Sequence, residues 1–573
     1  MIGLMSFSLV PAPVRYAPRG MVCAIDHLAS EAGVAVLRQG GSAVDAALAT
    51  SAVLAVTCQH ACGMGGDLWA LVHPGPGEPP VALNASGRAG SGADPGRLRD
   101  EGHRWMPAFG HPAAVTVPGC VDGWVALHER FGRLSLDEVL GAAQWYAAHG
   151  FPASPGLAAS VANVAHLPEA ADYLAGGSPP QAGDTIRRPG VARALAAIAT
   201  GGRDAFYRGE FGEGLLSLGA GEYSEADLAR SQADWVDPLV ADAWGHHLWT
   251  VPPNSQGYLT LASAWIASGL DLPTDPDDPL WAHLLVEASR QAAYDRLDVL
   301  HEGADGAALV GPGRLAPRRD AIRPDRAGLI PVPAGAGDTI ALCAVDSSLQ
   351  GVSLVQSNAS GWGSGLIVPG VRIFLHNRGQ GFSLVPGHLA EYGPGRRPPH
   401  TLSPTLVTRP GGELRLVLGT MGGDAQPQIL LQLLARLLSS GQAVEEAVAA
   451  GRFALGPAQG ENGSQAPGAG TLPAPAGTVP AQSGAPATGA AGGGPPAGFD
   501  TWAWRGAVSV LVEGQAPPRW AEGLTTRGHA VAMQEPWARG FGHAHAIEVR
   551  GGPGAGLVGA TDPRPRSGAA AGW

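Results

Sequence analysis

Two patterns of apolar and polar positions follow one another along the chain, long helical repeats first and short strand-like runs after, and the change falls at residue 339. Near the start, Asp26 precedes a helix-periodic run that reaches Gln39 and stops at Gly40-Gly41, the arrangement of a capped helix closed by glycine. Ser42 and Asp45, three apart as at a helix start, introduce an alanine-rich helix over 46–56. The stretch from His60 to Gly66 is glycine-rich, and 68–72 reads as a strand. That order is helix, glycines, strand, whereas a dinucleotide-binding fingerprint needs strand, glycines, helix. Residues 119–300 are expected to be mainly helical, with Ser135 and Glu138 forming a capping box ahead of 139–149 and a long periodic segment over 281–300. Four prolines and little periodicity over 317–338 predict an exposed, flexible segment.

After Thr339 the runs shorten. Residues 340–345 and 352–356 predict two strands joined by a hairpin turn over 346–351. Residues 414–418 predict another strand, and 428–438 an apolar helix after the Gly422-Gly423 turn. Residues 457–498 are almost entirely Gly, Ala, Pro, Ser, Thr and Gln; they cannot bury enough surface to offset the entropy of ordering and are expected to be a disordered insert. Structured pattern returns over 507–513.

Composition narrows the chemistry. With 573 residues and 45% hydrophobic content the chain can bury a large core, as several domains or as one body of two intertwined halves. Its net charge of −12 argues against a nucleic-acid partner. All 37 basic residues are arginine, which excludes a Schiff-base lysine, a Ser–Lys pair and the lysine of a phosphate-binding loop. The five cysteines include no Cys-x-x-Cys pair, and most stand in apolar or glycine-rich surroundings, as small core residues do. His543 and His545 alternate on one expected strand without a carboxylate or cysteine at ligand spacing, which favours a packed or solvated face over a metal pair, so no metal and no cofactor is expected. The first fifteen residues carry no secretion-signal pattern and the longest apolar stretch, 46–58, is too short for a bilayer, so a cytoplasmic protein without membrane association is expected.

Thr339 itself opens the strand-like region directly after the Pro/Gly-rich stretch 330–338. A threonine hydroxyl is a weak nucleophile without an adjacent base. Cutting the Asp338–Thr339 bond would free an α-amine, with a pKa of roughly 7.7–8, to serve as that base. The plain alternative is a threonine that merely begins a strand.

Four separated blocks carry a resemblance that decides between them. They are the Gly20 to Gly33 region with Gly40 to Ala47; His60 to Gly66; Thr339 to Asp346 with Gly363-Ser-Gly365; and Leu402-Ser-Pro-Thr405 with Gly419 to Gly423. In that order and spacing the chain resembles the γ-glutamyltransferase (γ-glutamyltranspeptidase) family over nearly its whole length, apart from the insert. The resemblance implies an α+β, four-layer αββα sandwich of the N-terminal-nucleophile hydrolase type. It also implies a precursor cut into a large subunit, 1–338, and a small subunit, 339–573, that remain associated. Thr339 aligns with the family's nucleophile, Ser357 with a supporting hydroxyl, and Gly422 and Gly423 with the oxyanion-hole pair. Arg88 aligns with the arginine that clamps a substrate carboxylate.

The chain departs from the family's glutamyl enzymes around the expected substrate. Gly381 stands where they carry the acid that grips the substrate ammonium, and Arg378 replaces a usual Gln or Glu, a cation expected to repel an ammonium and welcome a carboxylate. Asn358 lies one place before the usual substrate-binding asparagine, where Ala359 stands, and His400-Thr401 replaces a serine pair. His400 is read as equally a substrate contact or a filler of a surface turn. The expected activity is hydrolysis or transfer of γ-glutamyl, glutathione-type amides. The rivals are a glutaryl- or cephalosporin-acylase-like enzyme and an unprocessed binding homologue.

Overall fold

The computed structural model describes residues 14–328, 339–457, 508–551 and 556–573. Asp338 and, beyond Pro457, the 457–498 insert lie outside the described residues. Two seven-stranded sheets, antiparallel throughout, pack face to face. Across the first run Ala569–Gly572, Met21–Ala24, Ile340–Val345, Gly351–Ser357, Asp67–His73, Val81–Ala85 and Asp234–Val236. Across the second run Val14–Ala17, Leu557–Thr561, Ala544–Val549, Leu414–Thr420, Thr405–Thr408, His246–Thr250 and Leu239–Ala243. Each sheet thus takes strands from both sides of residue 338.

The strands 340–345 and 351–357 are buried on both faces, which is why they read as continuous apolar runs rather than alternating ones. Ile340, Leu342 and Ala344 face a helical layer that includes His27–Arg38, Ala43–Thr57 and Leu136–His149. Ala341, Cys343 and Val345 face the second sheet, where Leu406, Val417 and Ile547 meet them. The outer face of the second sheet is covered by Tyr258–Ser268, Pro279–Ala293 and Gln426–Leu434. All five cysteines are free and buried. No described helix is long and apolar enough to cross a membrane.

The expected caps appear. Asp26 accepts the Leu28 amide, and both Ser42/Asp45 and Ser135/Glu138 close reciprocal capping boxes. Two expectations are corrected. The 281–300 segment is not one helix: Pro279–Ala293 ends and a short turn, Arg296–Val299, restarts after Asp295, whose carboxylate is held by Arg314 at 2.8 Å and Arg318 at 2.6 Å. The 317–338 segment is not exposed coil from its start, because Pro317 lies inside the helix Pro312–Asp320, anchored by that same Arg318 pair.

Candidate active site

The hairpin sets the site's register. Asp346 Oδ1 accepts the amides of Ser348 (2.8 Å) and Gln350 (3.1 Å), so the turn closes with Val345 opposite Gly351 and Ile340 opposite Gln356. Thr339 and Ser357 are thereby brought level, with Thr339 Oγ1 3.1 Å from Ser357 Oγ and both residues fully buried. Ser357 Oγ also accepts the Ala359 amide at 2.8 Å, which fixes the hydroxyl. On the next strand Asp67 pairs with Ser357, so a row Thr339, Ser357, Asp67 runs across one end of the first sheet. The alternation that sends Ala341, Val355 and Trp69 into the space between the sheets sends these three there too.

Asp67 is the residue that sequence reasoning missed. It is wholly buried and gathers three predicted or neighbouring groups: Arg378 Nε at 2.7 Å, His400 Nε2 at 3.0 Å and His376 Nδ1 at 3.3 Å. Burial pushes its carboxyl up, but Arg378 and then the histidines outweigh it and hold the group well below the usual carboxylate range. Arg378 Nη1 donates to Thr401 Oγ1 at 3.1 Å. The expectation of Arg378 as a cation offered to substrate is therefore corrected: it is 1% exposed and its charge is met by Asp67. The surface-turn reading of His400 is corrected as well. Its ring is fully buried edge-on against Trp69, its Nδ1 accepts the Leu402 amide at 3.2 Å, and burial, then Arg378, lower its pKa to about 4. A neutral ring with Nδ1 accepting carries its hydrogen on Nε2, facing Asp67.

The glycine pair reaches the same end from the second sheet. A side chain at Gly419 would meet Ala341 Cβ at 2.9 Å, while Gly351, at the far end of the hairpin, lies against Leu414. The strand Leu414–Thr420 therefore runs toward the Thr339 end of the first sheet, and Gly422 and Gly423 follow it. Gly422 has φ 141° and Gly423 φ 54°, and a Cβ on Gly422 would sit 2.8 Å from Ile429. Both are buried, and neither amide donates to another described residue. Gln256, also unforeseen, ties this turn to the Asp67 cluster, its Nε2 donating to Thr401 O (3.0 Å) and Gly423 O (3.1 Å).

Other predicted residues are placed less directly. Asn358 is buried with Nδ2 on Gln59 O at 2.8 Å, while its Oδ1 has no hydrogen-bond partner among the described residues. Arg88 lies beyond Ser86 at the same end of the sheet and is ion-paired with Asp234, an oxygen it shares with Arg397 at 2.7 Å. His545 lies on the strand Ala544–Val549 and His543 just before it; both are packed rather than solvated. For metals, His283, Glu287 and His529 cluster among the described residues, but His283 Nδ1 and His529 Nε2 lie 2.8 Å apart as one hydrogen bond, and Glu287 is held by Arg290 (3.2 Å) and the Gly328 amide (3.0 Å).

Residues 29–468 match the family model described as Gamma-glutamyltranspeptidase. An oxamate amidohydrolase proenzyme of Klebsiella pneumoniae is 34% identical over 97% of this chain and 98% of its own length. A glutathione hydrolase-like proenzyme of Bacillus subtilis is 34% identical over 77% of this chain and 86% of its own. The crystal structure of a cephalosporin acylase from Bacillus halodurans superposes with a TM-score of 0.83 at 28% identity, covering 100% of this chain and 99% of that one. The chain belongs to the gamma-glutamyltranspeptidase family of N-terminal-nucleophile amidohydrolases.

Proposed function

We propose that the protein is a self-processing amidohydrolase that cuts its Asp338–Thr339 bond and then hydrolyses amides whose acyl part bears a free carboxylate, of the oxamate or glutaryl type. The subunits would be 1–338 and 339–573 of a four-layer αββα body, a reading supported by the two facing sheets with helices outside them. The observation that carries the proposal is Thr339 Oγ1 at 3.1 Å from Ser357 Oγ, at the end of the sheets reached by the Gly422-Gly423 amides.

In processing, Thr339 Oγ attacks the Asp338 carbonyl, the peptide C–N bond breaks to leave an ester and free the Thr339 amine, and water hydrolyses the ester to release the Asp338 carboxylate and restore the Thr339 hydroxyl. In turnover the same hydroxyl attacks the substrate carbonyl and passes its proton to that amine. The Gly422 and Gly423 amides take the developing oxyanion, a contribution of roughly 3–4 kcal/mol per donor. The ammonium protonates the departing amine, and water then frees the acid.

Support for a des-amino acyl group comes from Gly381 at the position of the ammonium-gripping acid and from Asp67, whose charge is already met by Arg378 and His400. The names of the oxamate amidohydrolase and acylase relatives point the same way. The γ-glutamyl alternative draws on the relatives named glutathione hydrolases. End-group sequencing is expected to return a second start, Thr-Ile-Ala-Leu. Oxamate and glutaryl anilide should then be hydrolysed in preference to γ-glutamyl anilide. Preference for the γ-glutamyl compound would replace the acyl assignment, and one intact, inactive band would leave the unprocessed binding homologue.

A further inference from the structure

The two arginines expected near the substrate are spoken for, Arg88 by Asp234 and Arg378 by Asp67, and Arg397 is likewise paired with Asp234. Arg539 is different. It is exposed, and its guanidinium makes no hydrogen bond or ion pair with a described residue. It nevertheless stands on a fastened turn. Gly542 donates to Arg539 O at 3.0 Å, Arg452 holds Phe541 O at 2.8 Å, and Met421 donates to His543 O at 3.1 Å. A side chain at Gly542, where φ is 80°, would strike Met421 O at 2.4 Å, so the turn lies directly on the backbone that leads into Gly422.

The guanidinium itself lies against the helix Pro155–Val161 and near His60. A Cβ placed on Gly156 would lie 2.9 Å from Arg539 Nη2 and 3.6 Å from His60 Nε2, so the two groups share that bare stretch of backbone. His60 O accepts the Trp362 amide at 2.9 Å and Ala61 O accepts the Asn358 amide at 3.0 Å. Arg539 thus stands on backbone that packs on Met421 ahead of Gly422, with its guanidinium beside His60, in the segment whose carbonyls hold the Asn358–Trp362 loop. The nearby histidines add no charge to it. Burial, then for His60 the field of Arg539, lowers His60 to about 4, and burial lowers His543 to about 3 despite Asp562.

We infer that Arg539 is a substrate-positioning residue that takes the free carboxylate of the acyl group through its planar, two-pronged donor edge. This rests on the amidohydrolase reading and adds which residue supplies the anion contact. A cation fixed on rigid backbone, beside neutral rings, at the rim of a buried site attracts anions and orients them before attack.

The test compares processed wild type with Arg539→Gln and Arg539→Lys. KM for glutaryl anilide is expected to rise at least about tenfold in Arg539→Gln, with a smaller effect on kcat, so that selectivity for glutaryl over neutral butyryl anilide falls by a similar factor; lysine should restore part of it. Separately, calorimetric binding of glutarate and of oxamate should weaken at least about tenfold in Arg539→Gln. This readout stands even where no amide is turned over, so loss of the catalytic reading and loss of this one are distinguishable. Equal anion affinity in wild type and Arg539→Gln, no anion binding by wild type, or an equal fall for charged and neutral anilides would each overturn the assignment.

Discussion

The two flanks of Thr339 both bury compensated ion pairs, Asp67 with Arg378 on one and Asp562 with Arg452 and Arg564 on the other, and differ in the arginine left at the surface. On the Asp67 side, a carboxylate, an arginine and two histidines are buried together and compensate one another. On the Arg539 side, the ring nitrogens of His543 and His545 and the hydroxyl of Thr561 are buried with no hydrogen-bond partner, and Arg539 has no counter-ion, among the described residues. The closed flank holds structure, and the open flank is where an anion finds an unmet partner. A charged residue at a recognised motif position is thus a poor guide to function until its partner is known.

The strongest way to break this comparison is through the row that separates the flanks. Thr339→Ala is expected to remain one chain on a denaturing gel and to lose turnover by at least about a thousandfold, with both flanks intact. Asp67→Asn attacks the closed flank and strands a buried guanidinium. It should cost about 3–5 kcal/mol in denaturant unfolding, or prevent folding. Arg539→Gln, also the loss of one charge, should shift stability by less than about 0.5 kcal/mol. Comparable costs would erase the distinction.

Smaller effects sharpen it. Ser357→Ala removes the hydroxyl beside Thr339 and is expected to lower turnover about 10- to 100-fold, while Ser357→Thr retains most of it. Acid should act through the buried histidines. His60, His400 and His545 titrate near 4 and His543 near 3 in the folded protein, against about 6.5 when unfolded. Their folded pKa is lowered, so stability is full above about pH 6.5 and falls as pH drops toward 4, where only the unfolded chain has taken up the protons. Each can contribute at most about 1.4 kcal/mol per pH unit in that window. Scanning calorimetry across pH 7 to 4 should show the falling Tm, and replacing both His543 and His545 with Gln should flatten it.

Much of the fold was legible because its signals are local. Asp26, Ser42 with Asp45, and Ser135 with Glu138 cap the helices they announce, and the hairpin at 346–351 needs only its own residues to set the register of Thr339. At the site, local pattern reached only as far as a strand opening at Thr339; the roles read for Thr339 and Ser357 came from the resemblance, and the hairpin brings their hydroxyls to 3.1 Å. What escaped depends on partners distant in sequence. Asp67 and Arg378 are 311 residues apart, so neither reveals that the other cancels its charge. The break at Asp295 and the helix through Pro317 hang on ion pairs to Asp295 from the following helix, which no periodicity encodes. Gln256 works through backbone carbonyls of Thr401 and Gly423, a role that leaves no motif.

In the first sheet, Ile340–Val345 is laced between Met21–Ala24 and Gly351–Ser357, and the second sheet likewise draws strands from both sides of residue 338. Scission of the 338–339 linkage therefore changes the molecularity of folding. Before it, assembly is a first-order event within one polypeptide; after it, recovery from denaturant requires two fragments to meet, at a speed that depends on their concentration. Maturation on this scheme is a ratchet, and a molecule unfolded at dilution does not return.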